Sequence, residues 1–102
     1  MSDQRDDLTD EQIVAAVREK EERRRQREIE DLTKLMDTAH GRRFMWRQLE
    51  RCGVFKLSYS GELASTSFNE GQRNIGLGLF AEIMAHCPNL YLLMADEAKE
   101  IE

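Results

Sequence analysis

At 102 residues, with a net charge of −5 and 34% charged side chains, the chain fits one small domain with a modest apolar core, and its acidity disfavours general nucleic-acid affinity. No apolar run approaches the roughly 18 residues that a membrane-spanning helix needs, so no membrane partner is expected. The opening MSDQRDDLTD lacks an apolar h-region, and Cys52 and Cys87 sit in neither a CxxC pair nor a zinc-ligand pattern; a signal peptide, a disulfide and a bound metal are not expected, which fits a reducing cytosol.

The charge is unevenly placed. Residues 1 to 31 carry seven basic and eleven acidic side chains, residues 32 to 53 five and two, and residues 54 to 102 three and seven. The only basic segment therefore surrounds GRRFMWRQLERCGVF at positions 41 to 55.

In chain order, a polar and frayed start is followed by T-D-E-Q at Thr9 to Gln12, a capping box with Asp10 and Glu11 in the first turn where the helix dipole favours negative charge. A long helix over 9 to 37 follows. Its middle is a solvated rod stitched by i,i+4 opposites such as Glu19 with Arg23, Glu21 with Arg25 and Arg24 with Glu28. Ile29, Leu32, Leu35 and Met36 at its C-terminal end are able to join a core. Thr38 caps a second helix, about 39 to 52, which Gly53 ends at the C′ position with Val54 folding back on the last turn. Phe55 to Thr66 shows no convincing period and reads as loop. S-F-N-E at Ser67 to Glu70 is a second capping box, opening a third helix to about His86. Its apolar residues Phe68, Ile75, Leu77, Leu79, Phe80, Ile83 and Met84 cover more than one face, so this helix is expected to be the buried centre. Pro88 suits the first position of a fourth helix, about 88 to 99, with Leu90, Leu93, Met94 and Ile101 on one face. The expected architecture is all-α: a frayed terminus and long charged helical arm over 1–37, then a compact three-helix domain over 38–102.

Projecting the second helix at about 100° per residue, with Arg43 as zero, puts Arg47, His40 and Arg51 at about 40°, 60° and 80°, a basic stripe. Cys52, Met45 and Leu49 fall on the far side, with Phe44 and Trp46 at the margins. Arg42, at about 260°, lies among apolar positions and needs a carboxylate or carbonyl partner rather than water. The stripe of Arg43, Arg47 and Arg51 is open to three readings: a solvated face, a protein-partner surface of the Arg and Trp type, or a nucleic-acid contact, the last disfavoured by the acidic remainder of the chain.

A second candidate surface is apolar. Ile13, Val14 and Val17 lie together on one side of the arm, while Leu32, the first core-like residue on that side, is 15 residues beyond Val17, about 22 Å along a helix. The core is not expected to reach them, which makes a second copy of the chain or a neighbouring protein the expected partner; helix support alone, or an arm ordered only by a partner, is the alternative.

No enzyme chemistry emerges. The letters G-x-G-x-x-A at 76 to 81 do not follow a strand, so close helix packing is favoured over a phosphate site. His40 and His86 belong to no triad. No catalytic residue, cofactor or metal is expected.

GRRFMWRQLERCGVF, SFNEGQRNIGLGLFAEIMAHCP and NLYLLM together resemble a family of small proteins encoded among the head and tail genes of short-tailed bacteriophages (podoviruses), of the type first seen in a Bordetella phage. The resemblance covers roughly Thr38 to Met94; where members often have Pro and Glu before the first glycine, this chain has Ala39 and His40. It carries over no catalytic residue. It implies a virion or virion-assembly component, with other phage structural proteins as partners, located in the virion and, during assembly, in the host bacterial cytoplasm. The expected function is thus a non-enzymatic component acting through protein–protein contacts, with homo-oligomerisation among its candidate associations. The alternative is a small phage protein that binds a host protein or nucleic acid after infection.

Overall fold

The computed structural model describes residues 8–56 and 63–101, with side chains described for 8–56 and 65–100. Among the described residues four helices follow one another: α1 (Asp10–Met36), α2 (Ala39–Arg51), α3 (Leu63–His86) and α4 (Pro88–Ile101). The fold is all-α. The chain divides into two compact units, Met1–Asp31 and Leu32–Glu102.

In the first unit, α1 begins where the sequence places its capping box. Thr9 N–H donates to Gln12 Oε1 at 2.8 Å and Gln12 N–H donates to Thr9 Oγ1 at 3.2 Å, so two of the orphan amides at the helix start are satisfied reciprocally. Further along, Arg23 pairs with Glu19 at 2.8 Å and Arg25 with Glu28 at 3.4 Å. These exposed pairs add only a few tenths of a kcal/mol each. Ile13, Val14 and Val17 are 45%, 54% and 52% exposed.

In the second unit, the core is a cluster of Met36, Met45, Leu49, Val54, Ile83, Cys87 and Met94, with Leu32, Trp46, Phe80 and Tyr91 among the half-buried residues packed on it. Met36 and Leu32 bring the last turns of α1 into this core, whereas Leu35 remains 36% exposed. α2 packs against both α3 and α4, and α3 packs against α4.

The connection from α1 to α2 is tight, and the Thr38 side chain serves both helices. Thr38 caps α2 by accepting from Gly41 N–H at 3.1 Å, and its hydroxyl donates to the Leu35 carbonyl at 3.0 Å. Gly41 is required here because an added Cβ would fall on the Leu35 carbonyl oxygen and lie 2.6 Å from Thr38 Oγ1. With Thr38 as the cap, α2 starts at Ala39.

α2 ends in a Schellman motif. Val54 N–H donates to the Leu49 carbonyl at 3.2 Å and Gly53 N–H to the Glu50 carbonyl at 3.0 Å. Gly53 has φ +73°, the left-handed conformation that costs a residue with a Cβ about 1–2 kcal/mol. Val54 folds back into the core beside Leu49, as the sequence predicts. Trp46 stacks on Phe55 just beyond this turn, with ring centroids 5.0 Å apart.

α3 departs from expectation in two respects. It begins at Leu63 rather than at Ser67, so Ser67 and Glu70 are helical residues and not a capping box. Leu63 and Ala64 are strong helix formers, and a capping signature marks a start only where the chain upstream is not already helical. Of the expected loop, residues 57–62 lie outside the described residues, while 63–66 belong to the helix. Nor is α3 the buried centre: Phe68, Ile75 and Met84 are 65%, 68% and 41% exposed, and of the expected apolar set only Ile83 is fully buried. Helices α2 and α4 cover one side of α3, and an apolar composition on all sides cannot specify which side is covered.

The small residues of α3 do allow close packing, at one position. Gly76 is buried, and a Cβ there would lie 2.5 Å from Val54 Cγ2 and 2.6 Å from Cys52 Cβ. Gly78 faces open space. α4 starts at Pro88 as predicted, directly after Cys87, whose carbonyl accepts from Leu90 and Tyr91 N–H at 3.1 and 3.3 Å. Of its expected face, Met94 is buried and Leu90 packs on the core, but Leu93 is 43% exposed; Ala98 is buried as well, and Tyr91 meets Phe80 edge-on at 5.1 Å. Ile101 lies outside the described side chains.

Candidate functional site

Arg42 is 9% exposed in the core-facing quadrant of α2, and both kinds of partner that the sequence calls for are present. Its Nε donates to Glu97 Oε1 at 2.6 Å, its Nη2 to Glu97 Oε2 at 3.3 Å, and its Nη1 to the Met36 carbonyl at 2.9 Å. The planar fork of the guanidinium suits this two-point grip on a carboxylate. One side chain thus ties the end of α1 to α2 and α4. The Arg42 hydrogen bonds hold the Glu97 carboxyl below the usual carboxylate range; partial burial opposes this, and the charges of Arg42 and Arg43 add to it.

Beside this pair, α2 and α4 leave a groove of about 290 Å³. Met94 and Ala98 of α4 and Trp46 of α2 give it apolar lining, and Arg42, Arg43, Arg47 and Glu50 of α2 and Glu97 of α4 line it with charge. Arg43 and Arg47 are exposed. Neither is paired with a carboxylate among the described residues, although the Arg47 guanidinium carbon stands 6.0 Å from the Phe44 ring centroid. The volume is at the lower edge of the roughly 300–1,000 Å³ usual for small-molecule sites, so the groove suits side chains of a partner better than a large ligand.

Of the candidate residues read from sequence, Arg43 and Arg47 come together in this groove. Arg51 does not: it lines a separate, smaller depression with Cys52, Gly53, Lys56, Asn69 and Gln72. Ile13, Val14 and Val17 form an exposed patch within the first unit. The sequence reading missed Glu97, Met94 and Ala98 as groove residues. Their i, i+3, i+4 spacing places them on one face of α4, but only the packing of α4 on α2 shows that this face completes a site.

Cys52 and Cys87 are both free, and burial pushes the Cys87 thiol upward in pKa. Among the described residues no group of three or more His, Cys, Asp or Glu side chains could hold a metal ion, and no helix is long and apolar enough to cross a membrane. Arg73 Nε on α3 is the one buried side-chain nitrogen or oxygen without a hydrogen-bond partner among the described residues.

The fold and the groove define a small all-α protein with a surface groove that combines arginine, tryptophan and apolar side chains. A family model described as Bbp19-like phage protein matches residues 32–96, well over half of the chain, and the chain belongs to that family. No curated protein and no solved structure matches it. The resemblance read from Thr38 to Met94 lies inside the matched residues, which include Arg43, Trp46, Arg47 and Met94 and exclude most of the arm.

Proposed function

We propose that this phage protein is a non-enzymatic component of a short-tailed bacteriophage particle or of its assembly, and that it acts through protein–protein contacts at the α2/α4 groove. The observation that carries the reading is the state of Arg43 and Arg47: two exposed guanidinium groups with no ion-pair partner among the described residues stand beside Trp46 and an apolar lining, whereas buried Arg42 is engaged by Glu97 within the domain. Arginine and tryptophan beside a desolvated apolar pocket are the residue types that dominate protein interfaces. The same reading locates the protein in the virion and, during assembly, in the host cytoplasm.

Phage carrying Arg43→Gln together with Arg47→Gln tests it. Incorporation of the protein into assembling particles falls several-fold while the purified variant keeps the wild-type melting temperature. Unchanged incorporation would reject the groove as the contact.

A further inference from the structure

The chain itself carries a segment with the chemistry that this groove selects. On the first turns of α1, Asp10, Ile13, Val14 and Val17 stand at i, i+3, i+4 and i+7, which places them on one helical face. The three aliphatic side chains are about half exposed, and from Leu8 to Val17 the segment contains Asp10 and Glu11 but no basic residue. The tip of α1 before Arg18 is therefore acidic, and its apolar face has a carboxylate at its N-terminal end. The groove offers the complement: an apolar lining of Met94, Ala98 and Trp46, with exposed Arg43 and Arg47 one turn apart on its α2 side; of the carboxylates that also line it, Glu97 is engaged by Arg42, and Glu50 is the other. An apolar helical face with i, i+3, i+4, i+7 anchors lying in such a groove is an established mode of recognition.

We infer that the acidic apolar face of α1 in one copy docks into the α2/α4 groove of a second copy. This inference rests on the reading of the groove as a protein-contact surface and names its occupant. The contact is heterologous, because tip and groove are different surfaces; repeated, it builds a ring if the rotation closes and a filament if it does not. The family match covers residues 32–96, so the tip is contributed by sequence outside the family region. Self-association would then be a property of this chain's arm.

The test is the mass distribution of the purified full-length protein, measured by sedimentation over a hundredfold concentration range. The wild type associates, and added salt weakens the association. A tip variant (Ile13→Ser, Val14→Ser, Val17→Ser) and a groove variant (Arg43→Gln, Arg47→Gln) each associate at least tenfold more weakly while keeping helical content and melting temperature. Mixed together, the two variants form a one-to-one heterodimer and nothing larger, since each supplies one intact surface. A wild type that stays monomeric throughout, or a groove variant that still dimerises as strongly as the wild type, overturns the inference. Either result combined with normal incorporation of the wild type into particles would leave the groove open to another virion protein, which separates this failure from that of the proposed function.

Discussion

Arg42 and Glu97, 55 positions apart in sequence, meet in a two-point ion pair with the second contact at 3.3 Å, and the remaining arm of the guanidinium holds the Met36 carbonyl. Burying a charge is costly unless every polar atom is met, and here carboxylate and carbonyl together meet the fork. Replacing Arg42 by Met removes both and leaves the Glu97 carboxylate beside an apolar surface. Thermal melts should show a clear loss for Arg42→Met and a smaller one for Glu97→Gln, which retains an acceptor for a guanidinium hydrogen bond.

The same pair sets an acid sensitivity. Because the folded-state pKa of Glu97 is lowered, its contribution to stability is present above the unfolded carboxylate value and is lost as pH falls through the folded value. The window therefore lies below about pH 4.3. Urea unfolding at pH 7 and at successively lower pH should show the wild type losing more stability across that window than Glu97→Gln, which cannot titrate there. Parallel curves for the two proteins would mean that the pair contributes nothing through linkage.

Three glycines separate close packing from mere helix composition. Gly41→Ala and Gly76→Ala force atoms against Leu35 and Thr38, or against Val54 and Cys52, and each should cost about 1–3 kcal/mol. Gly78→Ala meets open space on the exposed side of α3 and should be neutral or stabilising by up to about 1 kcal/mol. Chemical denaturation of the three variants decides this, and a destabilising Gly78→Ala would contradict the packing described.

The thiols should differ in reactivity. Cys87 is buried and its pKa is raised by burial, whereas Cys52 is half-buried at the end of α2. A thiol reagent at neutral pH should label Cys52 first and Cys87 only on the timescale of unfolding. Equal rates would place Cys87 outside the core.

Much of α2 was legible from local chemistry. Thr38 as cap, Gly53 in the left-handed region and Val54 folding back follow from rules that act over a few residues, and the projection that set Met45 and Leu49 inward also isolated Arg42 as the residue needing a partner. The identity of that partner was not legible, because Glu97 arrives through the packing of α4. α3 was misread for a related reason. Phe68 and Ile75 look like core by composition, yet which side of an apolar helix is covered depends on where its neighbours lie. The groove was half visible: Arg43 and Arg47 stand out on a helical wheel, while the floor that Met94 and Ala98 supply does not.

Arg43→Gln combined with Arg47→Gln also separates protein contact from nucleic-acid contact. Both side chains are exposed, so stability should stay within about 1 kcal/mol of wild type. A wild type that binds DNA with a steep salt dependence, lost in the variant, would favour a nucleic-acid role; the expected outcome is no such binding.

The most direct measurement is quantitative mass spectrometry of purified virions and of assembly intermediates from the same infection. The account predicts this protein at a fixed copy number in one or both, retained through washing at high salt. Its absence from both, with the protein recovered instead in complex with a host protein or nucleic acid, would contradict the virion-component reading and establish the host-directed alternative.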